Sequence, residues 1–387
     1  MHILLISTSY PNPKQTPGSE AAGSFVEDFS KALSKHINVT VVAPGPNKVS
    51  ESYNANLTLR RFKVPYLFLS LLKPYNPAHW PLIIKTLRAG QREVQRIIEE
   101  EKIDYMMALW VLPSGYWARN IWKKRGIPYS VWALGSDIWS LGRIPVVKAL
   151  LKSVLQDSHI CFADGHILKK DIEKISGKSC EFLASARRLP KVHEKNLATA
   201  PPYKLAYLGR WHHNKGTDLL LDSLHLLTEE DWAKIEEVRI FGGGPLEKIV
   251  KSGYISLREA GRPVLLGGYL DRMHAAKLLL WADYLLIPSR IESIPVVFSE
   301  AMQSGCPVIT TPVGDLPALI EEYGVGIMAS GLTPDAFSRA IRSALKQPAE
   351  DFKGRITLTS KKFDVDEIAF KFVTAIRGAS KKPGGGI

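Results

Sequence analysis

The sequence predicts an α/β protein made of two Rossmann-like, doubly wound domains that face each other across a central cleft. Three observations predict it. Short apolar runs alternate with amphipathic stretches through both halves of the chain, which is the pattern of parallel strands joined by helical crossovers. A polar segment ending in Pro-Pro, Lys191 to Pro202, parts the two halves. The length of 387 residues suits two or three domains.

The elements follow in order. Ile3-Leu4-Leu5-Ile6 reads as a strand, and Ser7 to Ser24 as a loop rich in Pro, Gly and Ser. Phe25 to Ser34 reads as a helix, because Phe25, Val26, Phe29, Ala32 and Leu33 recur at helical spacing. Val39 to Val42 is the next strand, closed by Pro44-Gly45-Pro46, and this β-α-β opening starts a doubly wound sheet. Strands near Asp104 to Trp110 and at Tyr129 to Leu134 complete the first domain, residues 1–190, with a linker at 191–202.

The second domain, 203–360, opens with the strand Leu205 to Gly209 and a leucine-faced helix, Asp218 to Leu227. Val238 to Phe241 runs into Gly242-Gly243-Gly244-Pro245, and later strands fall at Val264 to Gly268, Tyr284 to Ile287 and Pro307 to Thr310. Residues 361–380 form a terminal helix expected to return toward the first domain. Asp364 can cap it, Glu367 can reach back, and Phe363 can staple to Ile368. That capping pattern accounts for Asp364 and Asp366 without a metal. Residues 381–387 read as a disordered tail.

Composition narrows the class. A hydrophobic content of 45% with 23% charged residues is that of a soluble globular protein with a large core. No run reaches the roughly 18 apolar residues of a membrane span, and Met1 to Ile6 is too short for a signal sequence. Cys161, Cys180 and Cys306 lack metal-ligand spacing and read as small buried residues of a cytoplasmic protein. Residues 1–200 hold 28 Lys and Arg against 16 Asp and Glu, so this half carries +12 of the net +13. Such asymmetry points to an anionic surface or substrate. Nucleic acid is disfavoured, since the basic residues are not interleaved with a stacking platform.

The chemistry concentrates in Ser289 to Met302. Glu292 follows an apolar strand, and Glu300 lies eight residues on, inside a short helix starting near Pro295 that Gly305 should end. A carboxylate at a strand mouth, a helix start and a second carboxylate make a pocket. Its N–H groups suit phosphate and its acids suit sugar hydroxyls. Gly209-Arg210 at a strand end and Lys215-Gly216 just beyond add cations suited to phosphate.

This wording resembles the E-x7-E signature of the retaining glycosyltransferases of family four, the glycosyl transferases group 1. The resemblance is strong from Lys204 to Ile327 and patchy before Lys191. It implies a GT-B fold, a nucleotide-diphosphate sugar donor, retention of anomeric configuration and no metal. It also implies roles. Arg210 and Lys215 would meet the diphosphate, and Glu292 would hold the donor sugar. Glu300 would take the ribose hydroxyls, and the N–H groups around Ile294, Val296 and Val297 would face phosphate or sugar. Gly242, Gly244 and Pro245 match a G-x-G-P turn, and the backbone of Gly268, Tyr269 and Leu270 would read the base. On the acceptor side the resemblance picks out Gly23, Ser24, Trp110 and Gly135, with Asp137 as the polar catalytic candidate. The chain departs from the family where Met107, Leu109 and Leu134 replace usual histidines, and where Phe182 to Arg187 replaces a P-N-G-V-D stretch.

The function this implies is transfer of a hexose to a hydroxyl on a glycan or lipid-linked acceptor. The missing histidines motivate an alternative, a non-catalytic GT-B partner that binds a nucleotide sugar or glycan. A sugar-nucleotide epimerase would need cleft histidines, and only His212 and His213 lie near the right loop. Arg60 to Lys73, basic at both ends and apolar between, with Lys85, Arg88, Arg92 and Arg96 beyond, suggests a peripheral contact with the inner face of the cytoplasmic membrane.

Overall fold

The computed structural model describes residues 1–12, 23–66, 69, 72, 76–139, 142, 144–190 and 195–379. The chain divides into two compact units. One takes the described residues through Ser185 together with the helix from Val365; the other runs from Ala186 to Asp364.

Among its described residues the first unit holds eight strands: β1 (His2–Ile6), β2 (Asn38–Gly45), β3 (Val49–Asn54), β4 (Leu57–Lys63), β5 (Tyr105–Leu109), β6 (Tyr129–Ala133), β7 (Ile160–Ala163) and β8 (Cys180–Phe182). Their spatial order is β3-β4-β2-β1-β5-β6-β7-β8, parallel except for the β3–β4 hairpin. Central strands are buried along their whole length, as a sheet covered on both faces requires. The helix Ser24–Leu33 packs Phe29 against Phe372 of the C-terminal helix Val365–Ala379, and Lys35 pairs with Asp366 at 2.8 Å. Asp366 therefore serves an ion pair.

Among its described residues the second unit holds six parallel strands: β9 (Tyr203–Arg210), β10 (Ile235–Gly243), β11 (Val264–Gly267), β12 (Tyr284–Ile287), β13 (Val308–Thr310) and β14 (Gly326–Met328). The order is β11-β10-β9-β12-β13-β14. This is the 3-2-1-4-5-6 order of a dinucleotide-type sheet, whose direction of winding reverses between β9 and β12. In the first unit the reversal falls between β1 and β5. Loops leaving the carboxyl ends of such strand pairs splay apart and leave room for a ligand.

The fold adds a hairpin and commits part of a basic run to internal contacts. The β3–β4 hairpin is absent from the sequence reading, which took Arg60 to Lys73 as a basic-apolar interfacial patch. Arg60 instead bonds Glu100 at 2.5 Å and Glu101 at 3.2 Å, and Arg61 is buried with its guanidinium on the carbonyls of Pro44 and Pro11. Arg96 is paired with Glu100 as well. These cations are committed to the fold. Residues 67, 68, 70, 71 and 73 of that patch lie outside the described residues, as do the loop residues 13–22, linker residues 191–194 and the tail. The three cysteines are free and buried. Among the described residues no helix is long and apolar enough to cross a membrane.

Candidate active site

The site of the second unit grows from the ends of β9, β10 and β12. β9 delivers Gly209 and Arg210 opposite Gly242 and Gly243 of β10 in register. Gly242 and Gly244 have positive φ and lie against the backbone of Gly209 and Trp211. The Trp211 N–H donates to the Gly243 carbonyl (2.8 Å), and the Tyr269 hydroxyl donates to the same carbonyl (2.7 Å). Arg210, Gly242, Gly244 and Tyr269 thus form one cluster, with the Arg210 side chain exposed. Gly268 has open space where a side chain would stand, so nothing local demands glycine there.

After Arg210 the chain turns through His213–Lys215 into the helix Thr217–His225. His212 half-covers this turn, and its Nδ1 accepts from the Asn214 N–H (3.1 Å). Burial lowers its basicity, and the charges of Arg210, His213 and Lys215 lower it further. A neutral ring that accepts from backbone is a cap rather than an acid/base pair with His213, which weighs against the epimerase reading. Gly216 has φ +67°, and a side chain there would collide with the Pro288 carbonyl. Only glycine lets the β9 turn lie against the β12 loop.

That contact aligns the two loops. The N–H groups of Arg290 and Ile291 donate to the Asn214 carbonyl (2.7 and 3.3 Å), and Arg290 pairs with Asp218 at 2.8 Å. Lys215 forms an ion pair with Glu292. The far side of the loop is held by Gly314, whose φ of +55° and lack of a side chain let it abut the carbonyls of Glu292 and Ser293. Asp315 donates its N–H to Ser293 (3.1 Å). The Tyr207 hydroxyl, buried beneath, lies 3.2 Å from the Arg210 carbonyl and 2.8 Å from Thr217 Oγ1.

The helix Val296–Gln303 follows, preceded by Pro295 with no side-chain cap. The first N–H groups of a helix have no acceptor within it, so those of Val296 and Val297 are available to an anion. Ile294 is buried at the turn below them. Glu300 is 3% exposed and paired with Arg187 at 2.9 Å. Among the described residues no group of three or more His, Cys, Asp or Glu stands close enough to hold a metal ion.

The remaining expected residues lie in the first unit, at the ends of β1, β5 and β6. Gly23 (φ +75°) abuts the Ser9 backbone and precedes Ser24, which is buried at the helix start. Trp110 has φ +66°, a left-handed conformation costly for a bulky residue, and its ring meets Phe25 edge-on at 6.0 Å. Gly135 accepts from the N–H groups of Ile138 and Trp139 in the next turn. Asp137, expected on the catalytic wall, is 2% exposed. Its Oδ2 accepts from the Val111 N–H at 2.7 Å and its Oδ1 from the Leu134 N–H at 3.3 Å. Burial pushes its carboxyl up to about 6, against the pull of those amides. Both oxygens thus accept from backbone N–H groups, and through Val111 the Asp137 side chain holds the turn that follows Trp110.

Sequence reasoning missed Tyr207, Gly314, Arg187 and Gln303. Only Gly314-Asp315, just past an apolar strand, carried a local signal.

Two sheets of this order, with anion-suited side chains at the winding reversal of the second, define a GT-B protein. Residues 202–347 match the family described as Glycosyl transferases group 1, in line with the family-four wording of the motifs in that stretch. Over 348 residues the chain is 25% identical to the putative teichuronic acid biosynthesis glycosyltransferase TuaC of Bacillus subtilis, covering 84% of each. It is 24% identical over 268 residues to the N-acetyl-alpha-D-glucosaminyl L-malate synthase of Bacillus anthracis, covering 65% of this chain and 68% of that one. Its fold is similar to sucrose-phosphate synthase from Thermosynechococcus elongatus, with a TM-score of 0.76 at 17% identity over 97% of this chain and 98% of that one. It is also similar to Anabaena HepE in complex with UDP, with a TM-score of 0.68 at 14% identity over 98% and 100%.

Proposed function

We propose that this protein moves a hexose from a nucleotide-diphosphate sugar to a hydroxyl on a glycan or lipid-linked acceptor, with retention of configuration and without a metal. The observation that carries this reading is the Lys215–Glu292 pair at the winding reversal, beside Arg210 and an uncapped helix start. As the glycosidic bond breaks, negative charge gathers on the departing diphosphate. Fixed cations and aligned amides stabilise it most when they are already in place. Lys215, Arg210 and the N–H groups of Ile294, Val296 and Val297 are the groups for that task. The pairing also suggests an order of events. Glu292 neutralises Lys215 until the diphosphate supplies another anion, and Glu292 then turns to the hydroxyls of the donor sugar.

In this reading Glu300 accepts from the ribose diol. The glycines Gly242 and Gly244 let the donor approach the backbone, and Gly268, Tyr269 and Leu270 read the base. Gly23, Ser24, Trp110 and Gly135 receive the acceptor. Support comes from HepE, whose solved complexes include one with UDP-glucose, and from TuaC, named for teichuronic acid biosynthesis. The protein works in the cytoplasm at an anionic membrane surface. Along the helix Trp80–Glu100, the residues Trp80, Ile84, Lys85, Arg88 and Arg92 remain exposed, an apolar and basic set suited to such an interface.

The test is thermal stabilisation by a panel of nucleoside diphosphates and their sugars, followed by donor hydrolysis with and without EDTA. One nucleotide family should stabilise the fold and its sugar should turn over unaffected by EDTA. Strict dependence on added Mg²⁺ contradicts the metal-free mechanism. The non-catalytic reading, favoured by the apolar, fully buried Met107 and Leu109, predicts stabilisation without turnover. Flotation with liposomes should favour anionic lipid; no preference removes the membrane contact.

A further inference from the structure

The segment that departs from the family wording, Phe182 to Arg187, ends on the residue paired with Glu300. Two contacts fix it on the helix Val296–Gln303. Gln303, one turn beyond Glu300, donates from Nε2 to the Arg187 carbonyl (2.6 Å) and accepts at Oε1 from the Leu189 N–H (3.3 Å). With its backbone strapped there, Arg187 lays Nη1 2.9 Å from Glu300 Oε1. The Arg187 side chain is 15% exposed, and its buried Nε has no hydrogen-bond partner among the described residues.

We propose that Arg187 is a second ribose-recognition residue of the donor site, acting jointly with Glu300. The inference rests on the reading of Glu300 as the ribose acceptor. Its chemistry is complementary. A carboxylate only accepts and a guanidinium only donates, whereas a hydroxyl does both. A ribose hydroxyl between the two donates to Glu300 and accepts from Arg187, as a bridging water does in a solvent-separated pair. Neither charge is left bare. A counter-ion with no part in recognition would treat ribose and deoxyribose alike.

Calorimetric titration of the full chain with UDP, GDP and ADP, and with their 2′-deoxy counterparts, tests this. For the nucleotide that binds, wild type should prefer the ribo form by about tenfold, the worth of a hydrogen bond to a charged group. Arg187→Ala should weaken the ribo form about tenfold and bring the ribo/deoxy ratio to within about threefold, and Arg187→Lys should recover part of both. An unchanged ratio in Arg187→Ala, or equal or tighter ribo binding, overturns the proposal while leaving the nucleotide site standing. Failure of the underlying reading looks different: wild type binds none of the nucleotides, or binds both forms equally, and both ideas fall. Should Arg187→Ala not fold, Arg187→Lys decides alone. It keeps the charge but loses the planar fork, so its ratio should narrow, and a wild-type ratio overturns the proposal.

Discussion

At the ends of β1 and β5 the first unit is finished with aromatic rings and backbone contacts: Phe25 against Trp110, Gly23 against Ser9, and Asp137 spent on two amides. At the ends of β9 and β12 the second unit carries charge: Arg210, Lys215 with Glu292, Arg290 with Asp218, and Glu300 with Arg187. The same kind of winding reversal is thus built from different materials. A charged rim suits one recurrent anionic group, and its loops must be held tightly so that the cations do not reorganise as charge develops. An aromatic rim held by backbone contacts selects by shape and tolerates variation in residue type.

The comparison breaks most readily at the charged rim. Lys215→Ala and Arg210→Ala should each lower kcat by about a hundredfold or more, as loss of a preorganised charge-stabilising group does. Steady-state kinetics at saturating donor would show it, and near-wild-type rates would move the diphosphate elsewhere. Next comes the loop contact beneath it. Gly216→Ala forces a side chain into the Pro288 carbonyl at a left-handed φ and should cost roughly 2 kcal/mol of stability, read as a lowered denaturant midpoint.

Asp137→Ala sharpens the contrast between the two rims. It leaves two backbone N–H groups without their acceptor and should destabilise by about 1–2 kcal/mol while nucleotide affinity is unchanged and acceptor KM rises. A drop in kcat with unchanged stability would instead place Asp137 in the chemistry. The same carboxyl also sets a dependence on pH. The folded-state carboxyl of Asp137 is raised to about 6, above the ordinary value of 3.8, so its contribution is fully present below that ordinary value and is lost as pH rises through about 6. Melting temperature across pH 4–7, compared with Asp137→Asn, should show wild type losing ground as pH rises.

What was legible in the sequence follows the same division. Ser289 to Met302 could be read because a buried strand, a turn, a proline-started helix and two acids occur in one short stretch, and each is a local signal. The β3–β4 hairpin could not. All six residues of β3 are exposed, so it has no apolar face, and β4 places Arg61 at a buried position in line with Leu57 and Leu59. A basic residue in a core position reads as surface until the carbonyls of Pro44 and Pro11 are seen to satisfy it. The fate of Asp137 was hidden for a related reason: its partners are backbone groups of another loop, which residue type does not reveal. Lys215 and Glu292 were both picked out, but their pairing across 77 positions depends on Gly216 and Gly314, whose requirement is steric and tertiary. Arg187 meeting Glu300 is likewise a product of the fold alone.

The central claim is that the donor diphosphate is held at the winding reversal between β9 and β12. Amide hydrogen exchange with and without the stabilising nucleoside diphosphate tests it most directly. New protection is expected in 210–217 and 293–300, with the segments around Trp110 and Asp137 unchanged. Protection confined to the first unit, or none in those two stretches at saturating nucleotide, would contradict it.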